Sequence, residues 1–491
     1  MSAFQTLLEH SQKVSHFEHL SAIVSWDQAA VMPSGGAEAR SNAMAELSVH
    51  IHSLMTQPQL GDLFEQASLE SLSNEQSAVL REMKRSWQQA TLLPESLVQA
   101  QSLAGSKCEH AWRTQRGNND WQGFEKNWAD VVKLSQEEAQ IRADAAGSSP
   151  YDAMLDIYEP GTSSASLDVL FSDVKTWLPS LIDEAIEKQK SNNTQLPTGH
   201  YPADKQKALG LEVMKLLQFD FEHGRLDESV HPFCGGVPTD VRITTRYDEK
   251  EFVQSLMGIV HETGHARYEQ GLPKAFSGNP AGQARSMGIH ESQSLFFEMQ
   301  LGRSQPFVDH LSRLAANHFQ GDEFRAENLA KIYTHIEKGF IRVDADELTY
   351  PAHVILRYEI ERDLMNGAIK HTDVPELWNE KMKSYLGLST EGNYKNGCMQ
   401  DIHWTDGSFG YFPSYTLGAM YAAQFMAAMK QTVDVEQAIG SGDLTPIFTW
   451  LSTNIWSKGS LLTTDELVKQ ATGEVLNQTH FMQHLKSRYL G

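Results

Sequence analysis

The chain has 491 residues, with 41 Lys and Arg against 63 Asp and Glu, a formal charge of −22 and a sequence pI near 5.3. Such acidity argues against a nucleic-acid binder, because phosphate neutralisation needs basic faces. Three cysteines, Cys108, Cys234 and Cys398, cannot build a disulfide framework, and their odd number argues against secretion. No stretch approaches the roughly 20 apolar residues that span a bilayer. The N-terminus also lacks a basic segment followed by an apolar run. The expectation is a cytoplasmic protein with no membrane partner, and length alone suggests about three domains.

In chain order, the first 145 residues read as long polar helices broken at PSGG (33–36) and RGNND (116–120). Residues 165–190 carry Leu167, Leu170, Phe171, Val174, Leu178 and Leu181 near helical spacing, and Pro179 should kink or split that run. After the linker-like SNNTQLPTGHYP (191–202), the spacing predicts a further helix over 203–223. The composition does not shift across this linker, which therefore reads as a loop within one body. Strand signal is scarce, and VRITTRY (241–247) is its clearest instance. The architecture read from these patterns is mainly α, with a small β-sheet near the middle.

Residues 261–265 read HETGH. Asp248 and Glu251 form a capping-box pattern before them, and Gly271 with Pro273 supplies a stop after them. Phe252, Leu256, Met257 and Val260 form an apolar stripe, so the motif falls inside a bounded, largely buried helix. Positions four apart on a helix differ by about 40° around the axis. The imidazoles of His261 and His265 therefore point the same way and suit one shared ion. Glu262 lies beside them, placed to take a proton from a water that the metal acidifies.

A third protein ligand is required. The metzincin pattern needs Gly at 268 and His at 271, where this chain has Tyr268 and Gly271, so that class is excluded. After a Gly/Pro/Ser loop, a second helix opens at MGIHESQSLFFEMQL with Ser286 as its N-cap, and it offers His290, Glu291 and Glu298. Spacing alone does not separate Glu291 from His290.

At this point several segments together resemble the carboxypeptidase Taq family of metallocarboxypeptidases. They are HPF (231–233), DVRIT (240–244), HETGH (261–265), HESQS (290–294), IRVDAD (341–346), GCMQDIHW (397–404) and the early WDQAAVMPSGGAEAR (26–40). The resemblance implies a zinc-type site, with cobalt also possible, made by His261, His265 and Glu291, and Glu262 as general base. It implies removal of single C-terminal residues from peptides with a free C-terminus, with broad specificity that usually excludes Pro. The implied fold is a large helical, clamp-shaped gluzincin-type body, commonly a homodimer, with a deep groove and a small sheet at its wall. Site motifs scattered from residue 231 to 415 point to one body over 1–491 rather than three domains. Within it, residues 1–195 would form one groove wall, and 196–491 would hold the metal site.

An exopeptidase must recognise the terminal carboxylate, which a guanidinium does in bidentate fashion. Arg342 is the first choice and Arg242 the second. The competing structural reading pairs Arg342 with Asp344 or Asp346, and Arg242 with Asp240. For the developing oxyanion, related helical gluzincins place a His and a downstream Tyr, which assigns His403 and Tyr415, with Tyr411 as alternate. The segment 400–415, with Gly407 and Gly410, suits a movable wall, while Trp404, Phe409 and Phe412 read as core aromatics. His231 reads as part of a rigid turn, Cys234 as structural, and His50, His52 and His110 as surface residues. The leading reading is a metallocarboxypeptidase. The alternatives are an endo-acting zinc oligopeptidase with the same metal chemistry and a non-catalytic peptide-binding protein with a structural metal.

Overall fold

The computed structural model describes every residue except Val230 and His231, so the reading of His231 lies outside the described residues. Six helices build the first part: α1 (Ala3–Ala30), α2 (Ala37–Met55), α3 (Gln59–Ser68), α4 (Asn74–Thr91), α5 (Glu95–Gly117) and α6 (Trp121–Ala146). The breaks fall where the turn residues stand: Ser34–Gly36 forms a short 3₁₀ turn, and Asn119 takes φ 56° between α5 and α6. Helices α7 (Pro150–Tyr158) and α8 (Ser164–Gln189) follow. Pro179 does not split α8, which runs on through it. Leu178, Leu181 and Ile182 are buried around the proline, so packing holds the turn that lost a hydrogen bond. Helix α9 (Ala203–Leu216) is shorter than its spacing predicts, because Gln218 turns left-handed at φ 56°.

The predicted strand is one of three among the described residues: β1 (Gly224–Glu228), β2 (Phe233–Val237) and β3 (Asp240–Thr245). Their order is β1-β3-β2, with β3 parallel to β1 and antiparallel to β2. Val241 and Ile243 point to one face, where they pack with Leu226, Met214, Ile259 and Ala266 in a small core. Arg242 alternates to the other face.

Helix α10 (Val253–Gly271) carries HETGH. The capping box does not form. Glu251 alone caps the helix by accepting the Gln254 N–H at 3.1 Å and the Val253 N–H, while Asp248 accepts from Lys250 N at 2.9 Å. The helix does end at Gly271, although not through a left-handed glycine. A Cβ on Gly271 would stand 2.7 Å from the Trp456 ring, so close packing selects glycine there. Helix α11 (Met287–Leu295) is capped by Ser286, which accepts from Ile289 N, and it continues as a π-helical turn over Phe296–Gly302.

The remainder comprises α12 (Gln305–Ala315), α13 (Ala326–Tyr333), α14 (Tyr350–Met365), α15 (Val374–Leu386), α16 (His403–Asp406), α17 (Pro413–Met429), α18 (Val435–Ser441), α19 (Thr445–Asn454), α20 (Thr464–Thr472) and α21 (Thr479–Leu490). The architecture is mainly α with a small sheet. One large core runs from Cys108 to Tyr489, and a smaller one joins α1, α3 and α4 around Phe4, Leu7, Phe64 and Met83. Among the described residues no helix is long and apolar enough to cross a membrane.

Two glycines set the spacing of the central helices. A Cβ on Gly264 would lie 2.5 Å from the Gln293 carbonyl oxygen and 2.6 Å from Ser294 Cα, so α10 and α11 touch backbone to backbone. A Cβ on Gly418 in α17 would lie 2.7 Å from Glu291 Cγ. Gly264→Ala is therefore expected to lower stability by about 1–3 kcal/mol through overpacking. Gly258→Ala, on the same helix with nothing within 4 Å of the new Cβ, should be neutral or slightly stabilising. Thermal midpoints of the two variants check this, and equal midpoints would refute the contact.

Candidate metal centre

His261 and His265 stand one turn apart on α10, with ring centroids 5.0 Å from each other. Helix α11 crosses them and brings Glu291, whose Oε2 lies 3.5 Å from His265 Nε2. Ligand atoms of His261, His265 and Glu291 all lie within 4.8 Å of one another, at the wall of a cavity of about 660 Å³. Two imidazole nitrogens and a carboxylate converging beside open space fit a zinc-type ion with one coordination position left free. His290, which spacing left open as a ligand, is turned aside. Its Nε2 meets Glu269 Oε1 at 2.8 Å, and its ring stacks on His265 at 4.6 Å.

The groups around the three ligands fix their orientation. His261 Nδ1 meets Glu298 Oε2 at 2.8 Å, which leaves Nε2 for an ion. Glu298 Oε1 accepts from Arg303 at 2.7 Å. Burial disfavours a charged His261, yet the bond to Glu298 and the carboxylates of Glu291 and Glu262 outweigh it and raise its pKa to about 10. Burial pushes Glu291 up and also raises Glu262, which is only 8% exposed, to about 7. A carboxyl in that range suits proton transfer near neutral pH. Cys234 lines the same cavity, and burial together with Glu262 pushes its thiol well up, which leaves it a poor nucleophile.

Arg342 lines the same cavity as the metal ligands and is 5% exposed. Its partner is neither Asp344 nor Asp346. Nε donates to Asp401 Oδ1 at 3.0 Å, and Nη1 donates to the Tyr350 hydroxyl at 2.6 Å. Asp401 also accepts from the fully buried Arg357, at 2.7 Å from Nε. The Phe412 and Tyr415 rings lie 5.1 and 5.0 Å from the Arg342 guanidinium. Arg242 is placed elsewhere. It is held bidentate by Asp240 at 3.0 and 2.7 Å, lies 4.7 Å from the Trp26 ring, and is not among the residues lining this cavity.

Tyr411 and Tyr415 both line the cavity, whereas His403 stands behind them with Nε2 at 3.4 Å from the Tyr415 hydroxyl. Burial and then Arg342 depress His403 to about 4, so it is neutral at pH 7. The segment 400–415 is not a free flap. Trp404, Phe409 and Phe412 are buried, Trp404 Nε1 and Gly410 N donate to Glu361 at 2.6 and 3.1 Å, and a Cβ on Gly410 would meet the Met154–Leu155 backbone. Sequence reasoning missed the support given by Arg303, Tyr350 and Asp401. Glu298 carried one signal, since it follows Glu291 by two helical turns and so returns to the same face.

A second cavity of about 920 Å³ lies between α1 and the 272–284 loop and shares Met287 and His290 with the first. β2 borders both, with Phe233 and Cys234 lining the first cavity and Gly236 and Val237 lining the second.

The model of the carboxypeptidase Taq (M32) metallopeptidases matches residues 6–489. Thermostable carboxypeptidase 1 of Thermus thermophilus is 36% identical over 99% of this chain and 98% of its own. Carboxypeptidase 1 of Bacillus subtilis is 34% identical over 97% of this chain and 96% of its own. Among solved structures, metallocarboxypeptidase 1 of Trypanosoma cruzi superposes with a TM-score of 0.98 at 46% identity, covering 100% of this chain and 99% of that one. The chain belongs to the carboxypeptidase Taq family of metallopeptidases.

Proposed function

We propose that this metallocarboxypeptidase removes residues one at a time from peptides with a free C-terminus, using Glu262 as general base and Arg342 as the carboxylate anchor. The observation that carries the reading is the single cavity lined by the His261–His265–Glu291 triad, Glu262 and Arg342 together. His261 and His265 through nitrogen, and Glu291 through oxygen, would hold the ion, for which zinc is the first choice and cobalt the second. When bound there, a divalent ion acidifies a water and polarises the scissile carbonyl.

Glu262 takes the proton of the attacking water and later passes it to the leaving amine. Its place beside the triad, 8% exposed at the wall of the same cavity, supports that role. Arg342 receives the terminal carboxylate, and its own orientation is held by Asp401 and Tyr350. Tyr415, oriented by His403 behind it, donates to the developing oxyanion, and Tyr411 stands beside it as the second hydroxyl. The rest of the peptide leaves along β2 into the second cavity. The three free cysteines support a cytoplasmic location.

Glu262→Gln should lower kcat by about 10²- to 10⁴-fold while zinc content by elemental analysis stays unchanged. A variant that keeps its rate would remove Glu262 from the mechanism. On the wild-type enzyme, amidation of an N-blocked dipeptide should cost about 10²- to 10³-fold in kcat/KM, since the substrate then offers Arg342 no carboxylate. Arg342→Ala should cost a similar factor on the free acid and little on the amide. Equal wild-type turnover of acid and amide would instead support an endo-acting oligopeptidase.

A further inference from the structure

The π-helical turn Phe296–Gly302 interrupts the helix that carries Glu291. Its closure runs from Arg303 N to Glu298 O at 3.1 Å, an i→i+5 bond. In an α-helix, side chains five residues apart would project roughly 140° from each other. The wider turn returns Arg303 over Glu298, and the guanidinium donates to Glu298 Oε1 at 2.7 Å. The other oxygen of Glu298 meets His261 Nδ1 at 2.8 Å. A second nitrogen of Arg303 donates to the Tyr333 carbonyl at 3.1 Å, so the guanidinium is fixed from two sides.

Glu347 lines the same cavity, and its carboxylate accepts from His484 at 2.6 Å, Arg488 at 2.8 Å and Tyr489 at 3.0 Å, all on α21. The hydrolytic steps assigned above use none of these groups. Arg303 shares Glu298 with His261 and lies 13% exposed at the cavity wall.

We propose that Arg303 is a positioning residue for the metal, acting through Glu298 to hold the His261 ring so that Nε2 faces the ion. This rests on His261 being a metal ligand. Without Arg303, the Glu298 carboxylate keeps a single partner and its plane is free to rotate. His261 then loses the fixed acceptor that sets its tautomer and ring angle. The π turn is the backbone feature that makes this arrangement available.

The test is the zinc affinity of the full-length protein, measured by competition with a chromophoric chelator, for wild type, Arg303→Met and Arg303→Lys. Thermal midpoints of the metal-free forms are recorded alongside. Arg303→Met should bind zinc about 10- to 100-fold more weakly, a loss larger than any change in metal-free stability accounts for. Arg303→Lys keeps the charge without the planar fork and should lose less. Zinc binding by Arg303→Met within twofold of wild type overturns the proposal. Where the Met variant does not fold, Arg303→Lys decides: a several-fold loss supports the role and unchanged affinity overturns it. A wild-type protein that binds no zinc overturns the metal site itself, a result distinct from the failure of Arg303 alone.

Discussion

The contact on which the site depends is the backbone approach of α10 to α11 at Gly264, inside the HETGH motif. The metal ligands come from two helices, and the Glu291 side chain reaches the histidine pair only because nothing larger than hydrogen separates the two backbones there. Gly418 repeats the device on the opposite side, where α17 lies against the stem of Glu291. Gly288 repeats it a third time: a Cβ there would stand 2.9 Å from the Glu159 carboxylate. Glu159 accepts the Gly288 N–H and the Ser414 hydroxyl, tying the first turns of α11 and α17 to the end of α7. Glycine within a helix is worth roughly 0.5–1 kcal/mol less than alanine. Their placement at these contacts is a local loss of stability that the metal geometry requires.

Electrostatics divides the cavity into two poles. Around the histidines, Glu262, Glu291 and Glu298 crowd together under burial, which raises Glu262 and Glu291 above their ordinary range. A dication is the counter-charge such a cluster lacks. At the second, Arg342 shares one carboxylate, Asp401, with Arg357, which is fully buried and does not line the cavity. Two guanidiniums on one acid leave a positive charge uncompensated, which suits a substrate carboxylate. The net charge of −22 is that of the whole chain, and it does not decide what the cavity holds.

Much of this was legible in the sequence because it rests on local spacing. The i, i+4 histidines, the apolar stripe of α10 and the Ser286 cap are all read within one or two helical turns. What escaped was set by distant partners. Strands β1 and β2 are five residues each, GRLDE and FCGGV, with no alternation to mark them, and they exist because β3 lies between them. Arg342 has acids two and four residues away, yet it is claimed by Asp401, 59 positions along the chain. The Gly-rich run at 407–410 suggested mobility, whereas Gly410 is there because the Met154–Leu155 backbone passes against it. The π turn has no sequence mark, since its i→i+5 closure depends on the packing around it.

Two segments of the resemblance far apart in the chain, 26–40 and 240–244, are halves of one contact. Arg225 and Arg242 are register partners on β1 and β3, and both lie over the Trp26 ring of α1, at 5.6 and 4.7 Å. Asp27 holds Arg40 at 2.7 Å within the same early motif, closing the α1–α2 corner beside it. The sheet is thus gripped on both faces, by α9 and α10 through Val241 and Ile243, and by α1 through Trp26 and the two arginines. β2, the strand at the edge of both cavities, can keep its place only while that grip holds. A cation–π contact of this kind contributes about 0.5–2 kcal/mol, and Asp240 orients the guanidinium that makes it. Arg242 therefore fastens α1 to the sheet, away from the cavity that Arg342 lines.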